Sequence, residues 1–222
     1  ISVVNGRSVI DDEKCKKCQM CVKACPYNAI VKISVPCEDA CPVGAIKKDE
    51  TGFASIDFDK CISCGKCTSA CPFGAVHERS QIVDILKAMK SDKRVIALIA
   101  PSIVGQFPGT IYQLKTAMIN SGFDDVFEVS AAAEIVSEAT RILLDSQTLK
   151  KPVISSACPA VTRLIRVRFP ELIENLLPLN APVEVAARMA KDKAVLETGL
   201  PREKIKTVFI SPCPAKVTAA KF

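Results

Sequence analysis

Residues 15 to 26 read CKKCQMCVKACP and residues 61 to 72 read CISCGKCTSACP, so the spacing CxxCxxCxxxCP occurs twice. Few patterns restrict a chain as tightly. Three cysteines at two-residue gaps wrap a loop around three corners of an iron-sulfur cubane, because iron prefers soft thiolate donors; the fourth, on the CP dipeptide, reaches the other cluster. Structural zinc would use paired CxxC knuckles and needs neither a third evenly spaced cysteine nor the proline. Disulfides would require an oxidising compartment, and cysteines two residues apart are poor partners for one another.

A third CP element, PCEDACPVGAI, lies between the two motifs and carries Cys37 and Cys41. The ten cysteines from Cys15 to Cys71 therefore exceed what two four-cysteine cubanes require. The segment from Cys41 to Cys71 resembles the second portion of a bacterial dicluster ferredoxin, and the resemblance makes Cys41 the fourth ligand to Cys61, Cys64 and Cys67. Cys71 then closes the other cluster with Cys15, Cys18 and Cys21. Cys25 and Cys37 remain the unassigned pair, and an arrangement that uses Cys37 and spares one of the early four is equally legal. Each CP cysteine is followed by a near-copy, PYNAI, PVGAI or PFGAV, where a short turn is expected. VVNGRSVID and GFASIDF alternate like short hairpin strands, as a small pseudo-symmetric unit would. The reading is an α+β ferredoxin-like dicluster domain over residues 1–78.

Beyond Cys71 only Cys158 and Cys213 remain, and the periodicity changes. SQIVDILKAMKS has helical spacing and RVIALIA is the continuous apolar run of a buried parallel strand. TIYQLKTAMINSG then reads as helix, DDVFEVS as strand, AAAEIVSEATRILLDSQ as helix and KPVISSA as strand. VTRLIRVRFPELIENLL is mostly helix, VEVAARMAKDKAVLETG helix and KTVFISP strand. This alternation predicts an α/β domain with a mainly parallel sheet over residues 79–222. Three of the strands run into unusual loops, IAPSIVG, SSACPAV and SPCPAKV, which are expected at the carboxyl edge of the sheet, where open α/β sheets bind ligands. Two CP cysteines meeting there could share one metal centre; a pair of buried thiols is the plainer alternative.

The net charge is +6, but Lys and Arg are dispersed among acids and no aromatic platform accompanies them, which argues against a nucleic-acid reader. Such a balance suits attraction of an acidic electron-transfer partner. The longest apolar stretch, VIALIAPSIVG, is too short to span a bilayer, and no basic-then-apolar leader precedes the cysteines, so a cytoplasmic location is expected. Starting at Ile1 and stopping soon after a cysteine motif, the sequence reads as a fragment of a longer protein.

APSIVGQFPG, SSACPAV and FISPCPAK, in that order behind a cysteine-rich head, resemble the active-site domain of [FeFe]-hydrogenases along nearly the whole chain. The resemblance implies that Cys158 and Cys213 bind the cubane half of an H-cluster. It further implies that Lys216 hydrogen-bonds a cyanide of the diiron half and that Pro101 with Ser102 touches the other. Two departures accompany it. Members with fast turnover carry adjacent cysteines in the first loop, the earlier relaying protons, where this chain has Ala157. The family draws two further cubane ligands from a later glycine-rich segment, and no cysteine follows Cys213. Glu134 and Glu138 lie near the family's proton-path acids and receive no role. The implied protein carries two [4Fe-4S] clusters in the head, and an H-cluster where the downstream segment is present. It would pass electrons between a redox partner, a ferredoxin or similar, and a centre that activates or senses dihydrogen. A dicluster carrier without hydrogenase activity and a hydrogenase-like iron-sulfur assembly factor are the alternatives.

Overall fold

The computed structural model describes residues 1–11, 13–16, 18–31, 35–77 and 80–220, and the boundary expected between 78 and 79 lies outside the described residues. The cysteine-rich part is built from short elements. Strands β1 (Ser2–Val4) and β2 (Arg7–Val9) form an antiparallel hairpin, and β3 (Ile46–Lys48) pairs β4 (Ala54–Ile56) in the same sense. Helices α1 (Met20–Ala24), α2 (Pro36–Asp39) and α3 (Lys66–Ala70) are single turns, too short to stand by propensity. α2 packs against α3, and the buried residues Val43, Ala45 and Ile62 make a small core beside them.

The second part contains α4 (Ile82–Met89), β5 (Arg94–Ile99), α5 (Ile111–Asn120), β6 (Asp125–Glu128) and α6 (Val129–Asp145). After them come α7 (Pro159–Arg168), α8 (Pro182–Thr198), β7 (Ile205–Ile210) and α9 (Pro214–Ala219). The three strands form one parallel sheet in the order β6-β5-β7, as the alternation of apolar runs predicts. β5 is central and its side chains alternate between two cores. Val95 and Ala97 face Phe123 with Ile85, Met89 and Met118 of α4 and α5. Ile96 and Leu98 face Val129, Ala132 and an alanine ladder on α8, Ala186, Ala190 and Ala194. Residues spaced by four share one helix face, so these alanines let α8 lie close on the sheet. Burying each large aliphatic of β5 contributes about 1.5–3 kcal/mol.

Two expected elements come out differently. KPVISSA is not a sheet strand: Ile154 makes one isolated parallel bridge to Leu176. Pro152 has no N–H to give a ladder, and the buried Asn175 amide captures the carbonyls of Lys150 and Pro152 at 3.3 and 2.9 Å. SSACPAV therefore leaves from this bridge rather than from the three-stranded sheet. The long helix expected from VTRLIRVRFPELIENLL stops at Arg168, and a 3-10 segment, Pro170–Asn175, follows because proline cannot continue the ladder. DDVFEVS is strand only to Glu128, with α6 beginning at Val129 without a loop.

Candidate functional site

The three CP cysteines share one local geometry. In each, the N–H of the residue three positions on donates to the cysteine carbonyl: Asn28 to Cys25, Gly44 to Cys41, Gly74 to Cys71. That residue is left-handed in every copy, with φ of 49, 61 and 61°, which asparagine and glycine tolerate best. The bend turns the next N–H onto the thiol. Ala29 donates to Cys25 Sγ at 3.4 Å, Ala45 to Cys41 Sγ at 3.2 Å and Ala75 to Cys71 Sγ at 3.3 Å. Such bonds favour thiolate over thiol. The bonds from Ala29 and Tyr27 hold the Cys25 thiol below its ordinary value, and those from Ala75 and Phe73 do the same for Cys71. Cys67 is pushed up by burial, with Cys61 adding to it.

Three of the cysteines assigned to the second cluster share one small core. Cys41, Cys61 and Cys64 pack around Val43, Ala45 and Ile62, and Cys67 is close enough to Cys61 to be influenced by its charge. Ser63 donates its N–H to Cys61 Sγ at 3.4 Å. Among the described residues no three His, Cys, Asp or Glu side chains converge closely enough for a single metal ion. Three cysteines on one apolar core, two of them accepting backbone N–H bonds at sulfur, suit a wider cage such as a cubane, whose potential is set by hydrogen bonds to sulfur. Cys37 is buried in α2 at the position before its CP cysteine that Cys21 and Cys67 occupy before theirs.

This core continues into the second part. Leu164 of α7 packs on it, Arg163 donates to the Phe58 carbonyl at 2.8 Å, and Arg168 donates to the Val43 carbonyl at 2.5 Å. Gly65, between Cys64 and Cys67, lies against Pro214, the residue after Cys213. Residue spacing carries no trace of these contacts; the one available signal is glycine at 65 where the first motif has Gln19.

At the carboxyl edge, Ile99 pairs Glu128 on one side and Ile210 on the other, so the strands finish level. Cys158 and Cys213 cap α7 and α9 with the same backbone angles, φ −103° and ψ 109°, each followed by proline in the first helical position. A proline there costs no hydrogen bond, and it holds the preceding cysteine extended, clear of the helix. Cys158 is exposed and Cys213 half-buried. A cleft of about 660 Å³ brings Ala157 and Pro159 of the first loop together with Lys216 and Phe209. Lys216 is half-buried, its Nζ 5.8 Å from the Phe209 ring centre. Pro101 and Ser102 stand on an exposed 3-10 turn and are not among that cleft's lining residues. Glu134 and Glu138 are exposed on α6, and Glu138 is paired with Arg141 at 2.6 Å.

Residues 93–221 match the family model of the iron only hydrogenase large subunit, C-terminal domain. Residues 8–31 match a 4Fe-4S binding domain, and 32–82 the LdpA Fe-S cluster-binding domain. The NADP-reducing hydrogenase subunit HndD of Solidesulfovibrio fructosivorans is 28% identical over 158 residues, 63% of this chain and 27% of that protein. Iron hydrogenase 1 of Clostridium pasteurianum is 29% identical over 155 residues, 63% of this chain and 26% of that protein. The chain thus spans about a quarter of the length of these curated relatives. A solved structure of a variant [FeFe]-hydrogenase HydA1 from Chlamydomonas reinhardtii superposes with a TM-score of 0.54 at 25% identity, covering 64% of this chain and 40% of that one. With cluster-binding matches over its first part and the hydrogenase model over more than half its length, this chain is an iron-sulfur protein of the [FeFe]-hydrogenase family.

Proposed function

We propose that the chain relays electrons between a redox partner, a ferredoxin or similar protein, and an H-cluster that activates or senses dihydrogen. The single observation carrying this is the matched pair of cysteine loops: Cys158 and Cys213 cap their helices with the same backbone angles, and the residues on either side of Cys158 line one cleft with Lys216, three residues after Cys213. The head is read as a ferredoxin-like domain with two [4Fe-4S] clusters. Cys41, Cys61, Cys64 and Cys67 hold one, which the common core of the first three supports. Cys15, Cys18, Cys21 and Cys71 hold the other, with Cys25 and Cys37 unassigned.

Cys158 and Cys213 would supply two thiolates to the H-cluster cubane, and downstream residues the remainder. Bound there, that cofactor supplies the redox chemistry that interconverts dihydrogen with protons and electrons. The chain's own contribution is electrostatic and geometric. Lys216 brings a positive charge and N–H donors to the cleft wall, where an ammonium in a partly buried site stabilises anionic ligands strongly. The hydroxyl and backbone donors of Ser102 and the ring of Pro101 form the second wall in this reading, which requires their exposed turn to be covered. Ala157 puts a methyl group where the resemblance implies a proton-relaying thiol, so slow proton delivery, and with it a slow or sensory role, follows.

Anaerobic reconstitution with iron and sulfide, followed by maturation of the longer protein, tests the reading. Infrared bands of iron-bound carbon monoxide and cyanide are expected. Their absence with full cubane content would identify a plain dicluster carrier or an assembly factor instead.

A further inference from the structure

Gly65 and Gln19 hold the same place in the two CxxCxxC loops, each capping a short helix in the left-handed region, with φ of 77 and 63°. The first loop keeps a glutamine there, so the backbone angle alone does not demand glycine. What differs is the neighbour. A Cβ at Gly65 would lie 2.9 Å from Pro214 Cβ and closer still to its Cγ, nearer than real Cβ atoms come. The atoms in the way belong to a proline ring at the start of α9, which cannot swing aside as a flexible side chain would. Two cysteine loops therefore touch through a position kept bare: Cys64 and Cys67 flank Gly65, and Cys213 precedes Pro214.

The rest of the seam is already fixed. Leu164 is packed into the core of Val43, Ala45 and Ile62, and Arg163 and Arg168 hold head carbonyls. A side chain at 65 would have to open a contact that these groups hold closed.

We propose that Gly65 is a positioning residue. Its missing side chain lets the loop of Cys64 and Cys67 close on the loop of Cys213, and so sets the separation between the metal centres that the two loops hold. This rests on the cluster assignments above.

The test is pulsed electron paramagnetic resonance on the reduced, anaerobically prepared holoprotein, read as the dipolar coupling between the two centres, with iron content measured alongside. Gly65→Ala is expected to weaken the coupling while iron content stays that of the unsubstituted protein. Gly65→Ala combined with Pro214→Gly is expected to restore it, because the obstructing ring is gone while any strain of alanine at positive φ remains. Coupling unchanged in Gly65→Ala, or still weak in the double variant, would overturn the proposal. No coupling in the unsubstituted protein would remove the cluster assignment itself, and the proposal with it.

Discussion

Arg168 of α7 donates to the carbonyl of Val43, a residue only 4% exposed, across the junction between the cysteine-rich part and the sheet. Val43 occupies the position that Tyr27 and Phe73 hold in the other two CP turns, and those rings are 87% and 88% exposed. One turn in three is thus used for docking, and its residue is the small aliphatic that fits beneath Leu164. Arg168→Ala leaves the Val43 carbonyl without this donor. A charge-assisted bond at a partly exposed site makes the expected loss about 1 kcal/mol, measured by urea unfolding of the holoprotein. Arg168→Lys is expected to recover only part of it, since the planar fork is lost.

Leu98 is 1% exposed on the central strand and Leu196 is 87% exposed on α8. Truncation of the first leaves a cavity between the sheet and the alanine ladder, so Leu98→Ala is expected to cost about 2–5 kcal/mol. Leu196→Ala should stay within about 0.5 kcal/mol. Chemical denaturation of both variants checks the contrast.

The thiols differ in a direction that can be read by alkylation of the reduced, metal-free protein. Backbone N–H bonds lower Cys25 and Cys71, so their thiolates form at lower pH; burial raises Cys67, so its thiolate forms only at higher pH. The thiolate is the nucleophile. As pH rises, iodoacetamide labelling located by mass spectrometry is expected at Cys25 and Cys71 before Cys67. Labelling in the reverse order would mean that the CP turns do not hold the thiolates as described.

Lys115 pairs with Glu128 at 2.5 Å at the end of β6, and its hydrogen bond holds the carboxyl below the usual range. A carboxylate depressed in the folded state contributes stability above its unfolded value and loses it as pH falls through the folded one. Glu128→Gln is therefore expected to destabilise at neutral pH and to match the unsubstituted protein in acid. The side chain is more than a third exposed, which limits the effect to about 0.5 kcal/mol.

The parts legible in the sequence were those with a strong local rule. The apolar run at 94–99 is typical of a doubly covered strand, and the cysteine spacing points to cubanes by itself. KPVISSA misled because its apolar pair and flanks look like a strand, while the deciding partner, Asn175, is more than twenty residues away and gives no periodic signal. The seam was equally hidden. Arg163 and Arg168 carry no signal within their own helical segment, and their carbonyl partners lie over a hundred residues earlier. Long-range pairing of a side chain with a backbone carbonyl leaves no mark on spacing or composition.

Ala157 lines the same cleft as Lys216, one residue before the exposed Cys158, so a thiol placed there would face the site that the resemblance assigns to proton transfer. A methyl group can neither accept nor donate a proton. A positioned acid-base group contributes about 10²-fold or more. Ala157→Cys in the matured longer protein is expected to raise dihydrogen–deuterium exchange by about that factor, whereas Ala157→Ser, with a far less acidic hydroxyl, gives a smaller gain. Carbon monoxide and cyanide infrared bands should be retained in both variants, which separates faster proton delivery from altered cofactor loading. Equal exchange in Ala157→Cys and the unsubstituted protein would show that the methyl group is not what limits turnover.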